Sequence, residues 1–134
     1  MTKLRASDGT IQGIARSRGD NPFGVTFDGQ NIWVSNTGYI SPDNKVTKLL
    51  ARNGAFRGTF AVDERPGGMA SDGSNIWVAT FEHDTVVELR ITDGSLVHIY
   101  NVRRGPSYVL FDGANIWVTN SGDNRVTKIS GLKD

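Results

Sequence analysis

The stretch "FDGQNIWVSN" at 27–36 recurs as "SDGSNIWVAT" at 71–80 and as "FDGANIWVTN" at 111–120, each copy with one tryptophan. Trp33, Trp77 and Trp117 lie 44 and 40 residues apart, and Pro22, Pro66 and Pro106 keep the same spacings. The four extra residues of the first unit, "YISP" at 39–42, fall between Trp33 and Val46. An insertion confined to one place reads as a longer loop on a fixed frame. Repetition at this period decides the architecture before any single residue does.

Each unit divides into four short strands. The first runs from the proline to the Asp-Gly pair ("PFGVTFDG", "PGGMASDG", "PSYVLFDG"). Asp-Gly suits a tight turn because glycine accepts positive φ and aspartate bonds nearby amides. The second strand is "NIWVSN", "NIWVAT" or "NIWVTN", rich in β-branched and aromatic residues. The third is "KVTKLL", "TVVELR" or "RVTKIS", and the fourth "FRGTFAV" or "LVHIYNV". No segment sustains a 3.6-residue apolar period, so no long helix is expected. Four antiparallel strands in about 40–45 residues predict a β-propeller blade, and the chain reads as all-β. A blade is covered on both faces by its neighbours, which accounts for the continuous apolar triplet "IWV" and assigns the tryptophans to the gaps between blades.

The chain is out of phase with its blades. Residues 1–15 match the second half of a blade, 22–62 and 66–102 are whole blades, and 106–130 supplies three strands of another. The third strand is therefore written twice, as "MTKLR" and as "RVTKIS". Three blades' worth of strands in a single module, 1–134, predict a homodimer closing a six-bladed ring. In it the partial blade is completed by the partner's N-terminal strand "GTIQGIA", with Met1 to Leu4 frayed.

Composition narrows the rest. A chain of 134 residues with 37% apolar and 22% charged residues suits one small folded domain. The net charge of +1 provides no field for nucleic acid or an anionic membrane, so neither is expected as a partner. No apolar run reaches bilayer length. The N-terminus "MTKLRASDGT" has no secretory h-region, leaving the cytoplasm as the default location. With no cysteine, disulfide and thiolate chemistry are excluded.

"FDGxNIWVxN" followed by "VTKL" resembles the YVTN/NHL-type β-propeller repeats, including those of the streptogramin (virginiamycin B) lyase-like group, over nearly the whole chain. The resemblance implies a ring of six or seven blades. In the lyases it also implies a magnesium-dependent site of histidine and glutamate near the channel, the histidines following the proline of the innermost strand. The matching positions here are Phe23, Gly67 and Ser107. No catalytic residue carries over.

Residues that break the repeat are the candidates for function. His83 sits in "TFEHDTV" between Glu82 and Asp84, but adjacent residues point different ways and known zinc spacings separate their ligands, so a solvated loop is expected. His98 falls on an outermost strand and is read as structural. Asp28, Asp72 and Asp112 follow the repeat and are read as turn-formers. No G-x-S-x-G elbow, P-loop or HExxH occurs.

In a propeller, the loops from strand four to the next strand one emerge on the same face as those from strand two to three. The first class carries Arg16, Arg18, Arg65, Arg103 and Arg104; the second carries Tyr39, Glu82, His83 and Asp123. These arginines either are solvated or pair with Asp20, Asp63 and Glu64, or they present planar donor forks to an anion. The predicted ligand site is Phe23, Arg65, Arg104 and Tyr108 at the channel mouth. It has no catalytic residue, no metal and no cofactor, and suits an anionic peptide or saccharide. The expected function is binding or assembly; the alternatives are a metal-dependent lyase- or hydrolase-like enzyme with a site on the channel axis, or a fragment of a larger propeller.

Overall fold

The computed structural model describes residues 1–38 and 44–130. Tyr39 and the "YISP" insertion lie outside the described residues. The strands are β1 (Thr2–Leu4), β2 (Ile11–Ile14), β3 (Pro22–Phe27), β4 (Asn31–Asn36), β5 (Lys45–Leu50), β6 (Phe56–Ala61), β7 (Pro66–Ser71), β8 (Asn75–Thr80), β9 (Thr85–Arg90), β10 (Leu96–Asn101), β11 (Pro106–Phe111), β12 (Ile116–Asn120) and β13 (Arg125–Ile129). They form two four-stranded sheets, β3-β4-β5-β6 and β7-β8-β9-β10, a three-stranded sheet β11-β12-β13 and a hairpin β1-β2. Every neighbouring pair is antiparallel. These are the blades read from the repeat; the one further element among the described residues is a 3₁₀ turn at Phe81–His83. Among the described residues no helix is long and apolar enough to cross a membrane.

Two cores lie between sheets. Trp33 and Val46 of the first blade pack on Met69, Ile76, Val78, Val87 and Leu89 of the second, with Phe60 at the margin. Trp77 and Val86 of the second pack on Ile116 and Val118 of the third, with Tyr100 and Phe111 alongside. Each of these two tryptophans thus fills the gap toward the following blade, and both are fully buried. Trp117, at the same register in the third blade, is 36% exposed because no blade follows it in the structure.

The innermost strands approach so closely that side chains are excluded. A Cβ on Gly24 would lie 2.5 Å from the Gly67 carbonyl oxygen, and one on Gly68 would lie 2.6 Å from the Tyr108 Cα. The Ser35 hydroxyl bridges the first of these contacts: it accepts from the Gly24 amide (2.8 Å) and donates to the Gly67 carbonyl (2.7 Å).

The hairpin departs from expectation at one point. Met1 to Leu4 are not frayed: Thr2 pairs with Ile14, and the terminal amine donates to the Ala15 carbonyl at 2.7 Å. The Asp8 carboxylate closes the turn by accepting from the Thr10 amide (3.0 Å) and hydroxyl (2.7 Å), so β1 is held by local bonds that need no further blade.

Removing Trp77 empties the second core, and Trp77→Ala is expected to cost about 3–5 kcal/mol in urea unfolding, the range for a large buried aromatic. Gly68→Ala forces backbone apart at a tight contact and is expected to cost about 1–3 kcal/mol. A Gly68→Ala variant as stable as the wild type would show that the inner strands can separate freely.

Candidate functional site

Each innermost strand begins with an irregular register, between Pro22 and Val25, Pro66 and Met69, and Pro106 and Tyr108. Such bulges re-aim side chains at the rim of a sheet. Two of the four sequence-predicted site residues meet there: the Phe23 and Tyr108 rings stand 5.9 Å apart at 36°. Both remain more than half exposed. Tyr108 stands where the first two blades have Gly24 and Gly68, so the third blade carries an aromatic ring at the position its neighbours keep bare.

The two loop classes lie side by side, as backbone bonds show: the Phe81 amide donates to the Arg65 carbonyl and the Gly122 amide to the Arg104 carbonyl. Arg65 and Arg103 each meet a carboxylate across this seam. Arg65 pairs with Glu82 at 3.2 Å, Arg103 with Asp123 at 2.8 Å, and His83 with Asp63 at 3.4 Å. The Arg18 guanidinium lies over the Phe56 ring, 5.1 Å from its centroid. The Arg65 and Arg103 partners are thus Glu82 and Asp123, not the Asp20, Asp63 and Glu64 expected from sequence. Arg104 is exposed and, among the described residues, has no carboxylate partner.

The Glu82-His83-Asp84 run divides three ways. Glu82 goes to Arg65 and His83 to Asp63, while Asp84, at φ 55°, accepts from the Gly105 amide at 2.9 Å. No group of three or more metal-ligating side chains converges among the described residues. Of the positions where the lyase pattern has its histidines, Phe23 meets Tyr108 and Gly67 sits under the Ser107 carbonyl, 3.1 Å from where a Cβ would be. These residues do not fit a histidine-and-glutamate magnesium site.

The recurring aspartates do more than turn the chain. Asp28 accepts the Gln30 and Asn31 amides on Oδ1 and the Trp33 indole N–H on Oδ2 at 2.8 Å. Asp72 and Asp112 do the same for Trp77 (2.9 Å) and Trp117 (2.7 Å). The Trp117 indole, with the Asn115 and Ala114 amides, holds the Asp112 carboxyl down to about 2. At Asp28 burial pushes upward, but the indole and amides outweigh it and the pKa is lowered. The constant five-residue offset from Asp to Trp was the available signal.

Glu88 is a second residue that sequence reasoning passed over. It occupies the Lys48 position in the second blade, is 5% exposed, and accepts from the Asn75 side chain (2.9 Å) and the Tyr100 hydroxyl (3.0 Å). Burial raises its pKa; burial and the bond to Glu88 push Tyr100 up to about 12.

A cleft of about 930 Å³ opens between the β1-β2 hairpin and the first blade, lined by Ile14, Phe23, Val25, Phe27, Ile32 and Leu49 among others. Of the predicted site residues only Phe23 reaches it.

Comparison with solved structures places this arrangement among known folds. Kuenenia stuttgartiensis hydrazine synthase matches with TM-score 0.74 and 27% identity over 92% of this chain and 36% of that one. BamB from Moraxella catarrhalis matches with TM-score 0.72 and 14% identity, covering 96% of this chain and 37% of that one. A luciferin-regenerating enzyme matches with TM-score 0.65 and 17% identity, over 83% and 45%. The fold is a β-propeller. The chain spans less than half the length of each of these structures. No protein-family model matches the chain, and no curated protein does.

Asp72→Ala leaves a buried indole N–H without its charged acceptor and is expected to cost roughly 1.5–3 kcal/mol in chemical unfolding. Glu88 gives a pH signature. Its folded pKa is raised above 4.5, so its contribution to stability is present below that value and is lost as pH rises through the folded pKa. Unfolding free energies at pH 4 and pH 7 should therefore move in favour of Glu88→Gln, relative to wild type, at the higher pH. A constant difference would show that burial does not perturb this carboxyl.

Proposed function

We propose that the chain is a non-catalytic binding and assembly module of the YVTN/NHL type, whose ligand face is the loop face at the channel mouth. The observation that carries this reading is the meeting of Phe23 and Tyr108 at the bulged entries of β3 and β11, exposed as a pair. Arg104, four residues before Tyr108, adds a guanidinium with no carboxylate partner among the described residues, while Arg65 is held by Glu82 alone. Aromatic surface on β3 and β11, with a planar donor fork on the loop that leads into β11, suits an anionic ligand with an apolar face, such as a carboxylate-bearing peptide or a sugar acid. The Arg65–Glu82 pair is exposed and weakly held, so an incoming carboxylate can exchange for it at small cost.

The same reading makes the working unit a homodimer closing a six-bladed ring, with the third blade completed by the partner's N-terminus. Two open faces support it: Val25 and Phe27 on one side of the first blade, and Leu110, Trp117 and Val126 on the far side of the third, all substantially exposed. Apolar area of this kind on two ends of one chain marks an interaction surface. A two-fold ring presents each mouth residue twice and favours ligands with repeated groups by avidity.

A screen of acidic peptides and glycans should find ligands that bind wild type and lose at least about tenfold in affinity to an Arg65→Ala/Arg104→Ala/Tyr108→Ala variant, the loss expected when charged hydrogen bonds are removed. Ligands that bind both equally would move the site elsewhere. Light scattering should give twice the chain mass at micromolar concentration, and the melting temperature should rise with protein concentration. A concentration-independent, folded monomer removes the ring.

A further inference from the structure

At the junction of the first and second blades Lys48 makes two contacts at once. Its ammonium lies 5.2 Å from the Trp33 ring centroid and donates to the Ile91 carbonyl of the next blade at 2.8 Å. The lysine recurs in both copies of the duplicated third strand, "MTKLR" and "RVTKIS", as Lys3 and Lys128. Each copy makes one half of the pair. Lys3 donates to the Ala51 and Arg52 carbonyls at 3.2 Å, Ala51 being the first-blade counterpart of Ile91, and has no tryptophan among the described residues. Lys128 lies over Trp117 at 5.4 Å and, among the described residues, has no carbonyl of a following blade.

The hairpin therefore already sits on the first blade where the two outer strands of a preceding blade belong. The cleft beside it is the place of that blade's two inner strands. We propose that this cleft receives β11 and β12 of a second copy, and that β1 replaces β13 against β12, bringing Lys3 over the partner subunit's Trp117. The proposal rests on the homodimer reading above and specifies how the two chains join.

The register makes the exchange conservative. In the free chain Val118 of β12 faces Thr127 and Trp117 faces Lys128. Shifting to β1 offers Thr2 and Lys3, so residue types are kept at both positions. The Asn120 side chain, which donates to the Thr127 hydroxyl at 2.8 Å, finds the same hydroxyl on Thr2. Retaining β13 instead would require opening the hairpin, with its Asp8 turn and terminal amine bond, to free β2. Displacing β13 breaks its pairing with β12, the Lys128–Trp117 contact and the packing of Ile129 on the core around Trp77, and β1 offers Lys3 and Leu4 at the same two positions. The exposed faces then cover each other: Leu110 and Trp117 meet Val25, Phe27 and the half-buried Ile32, the positions that Met69, Ser71 and Ile76 hold in the second blade. The closing junction is looser than the two internal ones at its inner edge, because Tyr108 stands where they have glycine.

The chain has no cysteine, so paired substitutions report strand neighbours directly. Residues opposed across antiparallel strands have Cα atoms about 4.5–5.5 Å apart, within disulfide reach. Thr2→Cys/Val118→Cys should give a covalent dimer on mild oxidation. Val118→Cys/Thr127→Cys should stay open while the protein is dimeric. Independently, Lys3→Ala should weaken self-association about 3- to 30-fold, the range of a desolvated cation–π contact, whereas Lys128→Ala should not. A dimer in which the second variant closes its disulfide within one chain, and the first variant does not cross-link, overturns the exchange but leaves the homodimer standing. A monomer by light scattering, with that same intrachain bond, removes both. Equal effects of Lys3→Ala and Lys128→Ala also overturn the assignment of β1.

Discussion

An indole N–H buried between two sheets must have an acceptor, and this requirement organises the chain. Leaving it unpaired would cost about 1–3 kcal/mol per blade, a large share of the stability of a small domain. The aspartate that starts the β3-β4 turn and its repeats supplies the acceptor while its other oxygen takes two turn amides. One carboxylate thus fixes the turn, the register of the next strand and the rotamer of the tryptophan. With the indole locked, the Trp33 and Trp77 rings pack on the following blade, flanked by Phe60 (5.4 Å) and Tyr100 (5.1 Å) of their own blades. Blade stacking follows from that orientation, since the apolar face has no other cover.

The inner strands add a second constraint of opposite kind. Where Gly24 and Gly68 lie, backbone meets backbone, and the absence of side chains lets the two junctions close up. Tyr108 breaks the rule once and turns its ring to Phe23. Variation at the mouth is thereby compatible with a fixed frame: the Asp–Trp clamp and the interblade cores lie on the sheets, whereas Phe23, Tyr108 and Arg104 lie on bulges and loops. A scaffold of this sort can vary its rim without disturbing its frame, and its repeats leave both end faces open until another blade covers them.

Much of the fold was legible in the sequence because it is written three times. The all-β class, the four-stranded antiparallel sheets and the placement of Trp33 and Trp77 between blades follow from periodicity, which averages out local ambiguity. The loop charges were legible as a face but not as pairs. Glu82 and Asp123 take the arginines because the two loop classes are hydrogen-bonded neighbours, a proximity across 17 and 20 residues that spacing does not disclose. Glu88 was invisible for a related reason: in its strand it reads as the polar partner of Val87 and Leu89, and only the packing of Tyr100 and Asn75 around it makes it a buried acid.

Local pattern and turn chemistry were enough to decide which residues share a strand, which strands share a blade and which residues depart from the repeat. They left open the order of β1, which looked dispensable as a duplicate yet is secured by its own hairpin bonds. Nor did they reveal that Lys3 and Lys128 divide between them what Lys48 does alone. Those facts belong to the tertiary structure, because they depend on which blade lies beside which. An interblade contact joins residues far apart in the chain, as Lys48 and Ile91 are at 43 positions, and whether it forms depends on what covers the face.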